Sequence, residues 1–162
     1  MSLSDRRTVL LGLLGLLALP ACGFAPAYTP GGAGQALRGQ VRAADPATSQ
    51  DFDFVAALEQ RLGRPSTPRY DLAYSIATTE RSAAQVSGFG ATRNSVFGTL
   101  GYTLTERATG AVVSQGSLRN FTNYSTTDTQ LAIRRSQQDA VARLMQILAD
   151  QLATRLLADL TE

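Results

Sequence analysis

The chain has 162 residues, with 15 arginines, 13 acidic residues, a net charge of +2, and neither lysine nor histidine. These absences exclude Ser–His, Cys–His and Ser–Lys nucleophile pairs, Schiff bases and imidazole metal sites, so no metal or other cofactor is expected and composition favours binding over catalysis. The near-balanced charge, with no basic stripe, speaks against nucleic acid as a partner.

In chain order, Ser4-Asp5-Arg6-Arg7 leads into a leucine-rich run from Thr8 to Leu19, then Pro20-Ala21-Cys22. A transmembrane helix needs about 20 apolar residues and this run has about a dozen. The order basic, apolar, small reads as a secretory signal over residues 1–21. Leu19 and Ala21 before the only cysteine resemble the bacterial lipoprotein signal, with Pro20 a less usual occupant. That resemblance makes Cys22 the first mature residue and the lipidation site, with acyl chains holding the protein at a membrane. Arg6-Arg7 fits both a general secretory n-region and a twin-arginine signal, so the export route stays open.

Residues 22–35 form an acylated Cys and a Gly/Pro-rich tether, of which twelve extended residues reach at most about 40 Å. Phe24 and Tyr28 within it are either chance apolar residues or docking points. Residues 36–162 form a single domain. Leu37 to Ala43 is a short strand candidate ended by Asp45-Pro46. Thr48-Ser49-Gln50-Asp51 is a capping-box pattern and opens a helix from about Gln50 to Leu62. Its stripe runs through Phe52, Val55, Leu58 and Leu62, broadened by Phe54 and Ala57, and it stops at Gly63 and Pro65.

Tyr70, Leu72, Tyr74 and Ile76 alternate with small or polar residues, as in a half-buried strand. From Arg81 to Asn94 the apolar pattern fails, which predicts a long hairpin tip. Val96 to Leu104 alternates again, Glu106 to Gly110 makes a tighter turn, and the next strand runs from Ala111 towards Phe121. Val112 with Leu118 and Val113 with Phe121 do not share one face, so a bulge is expected near Gly116. Thr127 with Gln130 suggests a second capping box. The helix that follows reaches about Leu160, presents Ala140, Leu144, Leu148, Leu152 and Leu156 on one broad face, and spans about 45 Å. The resulting fold class is α+β, with two helices on one face of a four-stranded mixed sheet in the order β-α-β-β-β-α. The first crossover is expected to be right-handed. The other sheet face, made of Ser, Thr, Ala and Gly, is flat and open: a candidate contact surface.

The mature start Cys22-Gly23-Phe24-Ala25-Pro26-Ala27-Tyr28 is similar to the C-G-F-x-P-x-Y of the lipopolysaccharide-assembly outer-membrane lipoproteins, the LptE (RlpB) family. Tyr70-Asp71-Leu72, the segment Tyr102-Thr103-Leu104-Thr105-Glu106 before Thr109-Gly110-Ala111-Val112-Val113, and the closing Ala-rich helix resemble the family in order. The resemblance implies a non-enzymatic plug and assembly factor inside the large LptD barrel, on the periplasmic side of the outer membrane, in contact with lipopolysaccharide. An auxiliary lipoprotein of an ABC-type lipid transporter is the alternative. Lipopolysaccharide phosphates suit bidentate arginine. Arg81 and Arg93, flanking the long hairpin tip, are the candidate contacts. Arg134 and Arg135 begin the last helix, where cations oppose the dipole.

Overall fold

The computed structural model describes residues 37–83, 93–127 and 129–160. The signal, Cys22 and the tether lie outside these residues, as does the tip of the long hairpin at 84–92. The elements are β1 (Val41–Ala43), α1 (Ser49–Leu62), β2 (Tyr70–Ala83), β3 (Arg93–Glu106), β4 (Val112–Ser125) and α2 (Gln130–Asp159). The four strands form one mixed sheet, as the sequence pattern predicts, and lie in it in the order β1-β2-β3-β4. β1 is parallel to β2 and reaches it through α1, while β2, β3 and β4 pair antiparallel along nearly their full lengths.

Local chemistry explains the boundaries of α1. The Thr48 Oγ1 accepts from the Asp51 N–H at 3.2 Å, and Asp51 Oδ2 accepts from the Thr48 N–H at 2.9 Å. This reciprocal cap satisfies two donors that the first helical turn would leave unpaired. Gly63, at φ +80°, ends the helix with its N–H donating to Glu59 O at 2.8 Å.

Period-two alternation then decides which sheet face is covered. Tyr70 and Leu72 of β2 and Val96, Leu100, Tyr102 and Leu104 of β3 are buried, so the even-numbered face meets the helices. α2 lays Leu144, Leu148, Leu152 and Leu156 across it, all fully buried, and Phe54 of α1 packs on Tyr74 with ring centres 5.0 Å apart. Thr122 Oγ1 donates to Ala140 O at 2.8 Å, fastening β4 to α2. Arg61 Nε and Nη2 donate to the two carboxylate oxygens of Asp150 at 2.5 and 2.7 Å, joining the helices side by side.

Five details depart from the expectations. Leu37 is buried but precedes the strand: residues 37–40 form a turn, with Gln40 N–H donating to Leu37 O at 3.1 Å and Gly39 at φ +68°. Arg81 and Arg93 lie within β2 and β3 rather than on a loop, because backbone pairing continues to Ala83 opposite Arg93 after the apolar pattern has ended. The register shift falls at Leu104/Thr105, where Val113 is the extra residue, and not at Gly116. Gly116 stays paired with Tyr102, whose hydroxyl would stand 3.1 Å from a Cβ placed there. Phe52 is 61% exposed, because it sits about 200° around the helix from Phe54 and only one of the two can face the sheet. Thr129, not Thr127, caps α2, accepting from Ala132 N–H at 3.3 Å, while Thr127 Oγ1 pairs with Ser125 Oγ at 2.9 Å.

Candidate functional site

No described element packs over the odd-numbered sheet face, and the strand register arranges that face in rungs. Ala73–Thr103–Gln115 and Ser75–Gly101–Ser117 make two smooth rungs at the end where β2 begins. Small side chains keep the floor low: a Cβ on Gly101 would already stand 3.0 Å from Ser75 Oγ. The result is a shallow trough of about 700 Å³ lined by Ala73, Ser75, Gly101, Thr103 and Gln115. On the opposite, helix-covered face, where Tyr74 packs on Phe54, its buried hydroxyl has no hydrogen-bond partner among the described residues. Desolvation, reinforced by Asp51 and Asp45, pushes its pKa up to about 12, so it stays neutral at physiological pH.

The rungs towards the hairpin tip differ in character. Ala77–Thr99–Arg119 comes first, then Thr79–Phe97–Phe121, then Arg81–Ser95–Asn123. Phe97 and Phe121 are 39% and 51% exposed, with ring centres 5.5 Å apart. The Arg81 guanidinium lies 5.5 Å from the centre of the Phe97 ring. Ser95 Oγ donates to Asn123 Oδ1 at 2.6 Å within that rung, and Ala83–Arg93–Ser125 is the last rung of the face.

Charge is segregated along the molecule. At the end where β2 begins, cations are neutralised: Arg107 pairs with Asp71 at 3.1 Å and Arg69 with Glu106 at 2.8 Å. Hydrogen bonds from Arg69 and then from Thr109 hold the Glu106 carboxyl below the usual carboxylate range. At the other end, Arg81, Arg93 and Arg119 have no carboxylate within ion-pair distance among the described residues. The structure therefore brings the two predicted arginines onto one face, in neighbouring strands. It adds Arg119 and the phenylalanine pair, which the sequence reading did not single out. Their signal was the odd phase of Phe97 and Phe121, out of step with the core.

Among the described residues no group of three or more His, Cys, Asp or Glu could hold a metal ion, and no helix is long and apolar enough to cross a membrane. An open, small-residue face with a cationic end suits recognition of an extended anionic partner.

The sequence matches the LptE lipopolysaccharide-assembly family over residues 26–156. The chain belongs to this family. Its LptE-type fold is shared with a lipoprotein from Caulobacter crescentus, at a TM-score of 0.63 and 20% identity over 80% of this chain and 95% of that one. Lipoprotein B from Nitrosomonas europaea superposes with a TM-score of 0.57 at 9% identity, covering 75% of this chain and 84% of that one. Rare lipoprotein B from Shewanella oneidensis gives 0.51 at 11%, covering 75% and 92%. At such identities the structural likeness carries the fold alone, and no curated protein matches the sequence. Membership in the LptE family assigns the chain to lipopolysaccharide assembly.

Proposed function

We propose that this protein is an outer-membrane lipoprotein, anchored through acyl chains on Cys22 at the periplasmic face. It stands as a plug and assembly factor inside an LptD-type barrel and contacts lipopolysaccharide through Arg81 and Arg93. It acts by binding, without a catalytic step. The observation that carries this reading is the pairing of family membership with a sheet face whose cationic end is free of described carboxylates. An LptE-type body working inside a barrel needs adaptable polar surface, and lipopolysaccharide supplies the phosphates that bidentate arginine prefers.

The arrangement of the ends supports the same reading. Val41 pairs with Tyr70 and Arg93 with Ala83, so the tether joins the body near one end of β2 and the arginines sit at the other. A strand of 14 residues spans about 45 Å. The cationic end therefore lies most of a strand length from Val41, near which the described chain begins.

The test is to isolate the tagged full-length protein from membranes and identify what accompanies it. A large outer-membrane barrel is the expected partner. Recovery of an inner-membrane transporter permease without a barrel would overturn the reading in favour of an ABC-type auxiliary lipoprotein.

A further inference from the structure

We infer that the strip Arg81–Phe97–Phe121–Arg119 is a binding site for one doubly anionic amphiphile, with its anionic groups on the two arginines and its apolar part over the phenylalanine pair. This deepens the reading of the chain as a lipopolysaccharide-contacting protein, and rests on it. Phe97 and Phe121 are the only aromatic side chains in the odd register of β2, β3 and β4. Side by side and about half exposed, they form a small apolar island on an otherwise polar floor. Covering such side chains removes apolar surface from water, so an alkyl or sugar surface laid over them gains directly.

Arginines bracket the island on both sides. Arg81 lies one rung towards the hairpin tip on β2, and Arg119 one rung the other way on β4. Stacking against Phe97 orients the Arg81 guanidinium while leaving its N–H edge open to an anion. Neither arginine has to leave a described carboxylate to meet a ligand, in contrast to Arg107, which Asp71 already holds.

The register also sets a spacing. Ser95, opposite Arg81, and Thr99, opposite Arg119, are four residues apart on β3. With strands about 4.8 Å apart and a rise of about 3.4 Å per residue, the two arginine Cα atoms lie about 17 Å from each other across the island. A single phosphate would meet both only by drawing the two side chains together over the phenylalanine rings. Two phosphates at opposite ends of a disaccharide that carries acyl chains meet both, and this is the chemistry of the lipid anchor of lipopolysaccharide. Beyond Arg119 the floor falls to Ser75, Gly101 and Ser117, where no bulky side chain blocks a larger ligand.

The experiment uses full-length protein in neutral detergent, with bis-phosphorylated, mono-phosphorylated and phosphate-free lipid A as probes. Wild type should bind the bis-phosphorylated form about tenfold more tightly than the mono-phosphorylated one, the effect of one charge-assisted contact. Arg119→Gln should erase that preference, whereas Arg134→Gln, outside the strip, should keep it. Phe97→Ser with Phe121→Ser should weaken all three forms, with circular dichroism confirming the fold. Arg119→Gln, an exposed change, decides the matter if the double variant misfolds. Wild-type binding by the strip variants would overturn this site while leaving the lipopolysaccharide reading intact. Absence of binding by the wild type would overturn both. Loss of barrel association with lipid binding unchanged would make the strip a protein-docking surface and contradict the inference.

Discussion

Gly98 of β3 lies directly beneath Leu144 of α2, so that a Cβ at position 98 would stand 3.0 Å from Leu144 Cδ2 and 3.1 Å from Leu148 Cδ1. The long helix comes this close to the sheet because one strand residue lacks a side chain. Gly98→Val should therefore lower the unfolding free energy by about 1–3 kcal/mol, the usual cost of overpacking a dense core. Urea denaturation measures this, and an unchanged midpoint would mean that α2 does not rest on β3 at this point. A valine at the neighbouring position on the open face, Thr99→Val, should have little effect.

The Arg69–Glu106 pair predicts an acid-side loss of stability. The Glu106 carboxyl is held below its ordinary range in the folded state, so it stabilises the fold above the unfolded carboxylate pKa of about 4.3. That contribution is lost as pH falls through the lowered folded value. The thermal midpoint of the wild type should exceed that of Glu106→Gln at pH 7, with the gap closing below about pH 4. A gap that is constant down to the acid limit would show that the ion pair contributes nothing.

Lipidation is tested at Cys22. The Cys22→Ser protein should appear in the soluble periplasmic fraction, because an unmodified serine carries no acyl chains to hold it. Retention in the membrane pellet after a carbonate wash would contradict anchoring through this residue.

Much of this fold was legible because half-buried strands and capped helices leave periodic marks. Thr48 with Asp51 and Gly63 before Pro65 bounded the first helix, and Tyr70 to Ile76 showed the alternation of β2. What was not legible depends on contacts between distant segments. Phe52 and Phe54 look equivalent in the sequence, and only the position of the sheet decides which is buried. Gly116 looks like a bulge residue until Tyr102 is placed opposite it. The candidate site divides the same way. Arg81 and Arg93 stood out from their place around a long hairpin, whereas Arg119 and the Phe97–Phe121 contact exist only once β3 and β4 are in register.

In the proposed function the cationic end of the open sheet face meets lipopolysaccharide while the rest of the body serves the barrel. The most direct measurement is lipopolysaccharide binding by Arg81→Glu/Arg93→Glu, made together with a test of barrel co-purification. Loss of charge-assisted hydrogen bonds of about 1.5–3 kcal/mol each should weaken binding by about tenfold or more and leave barrel association intact. Unchanged lipopolysaccharide binding in that variant would mean that the cationic end is not the contact.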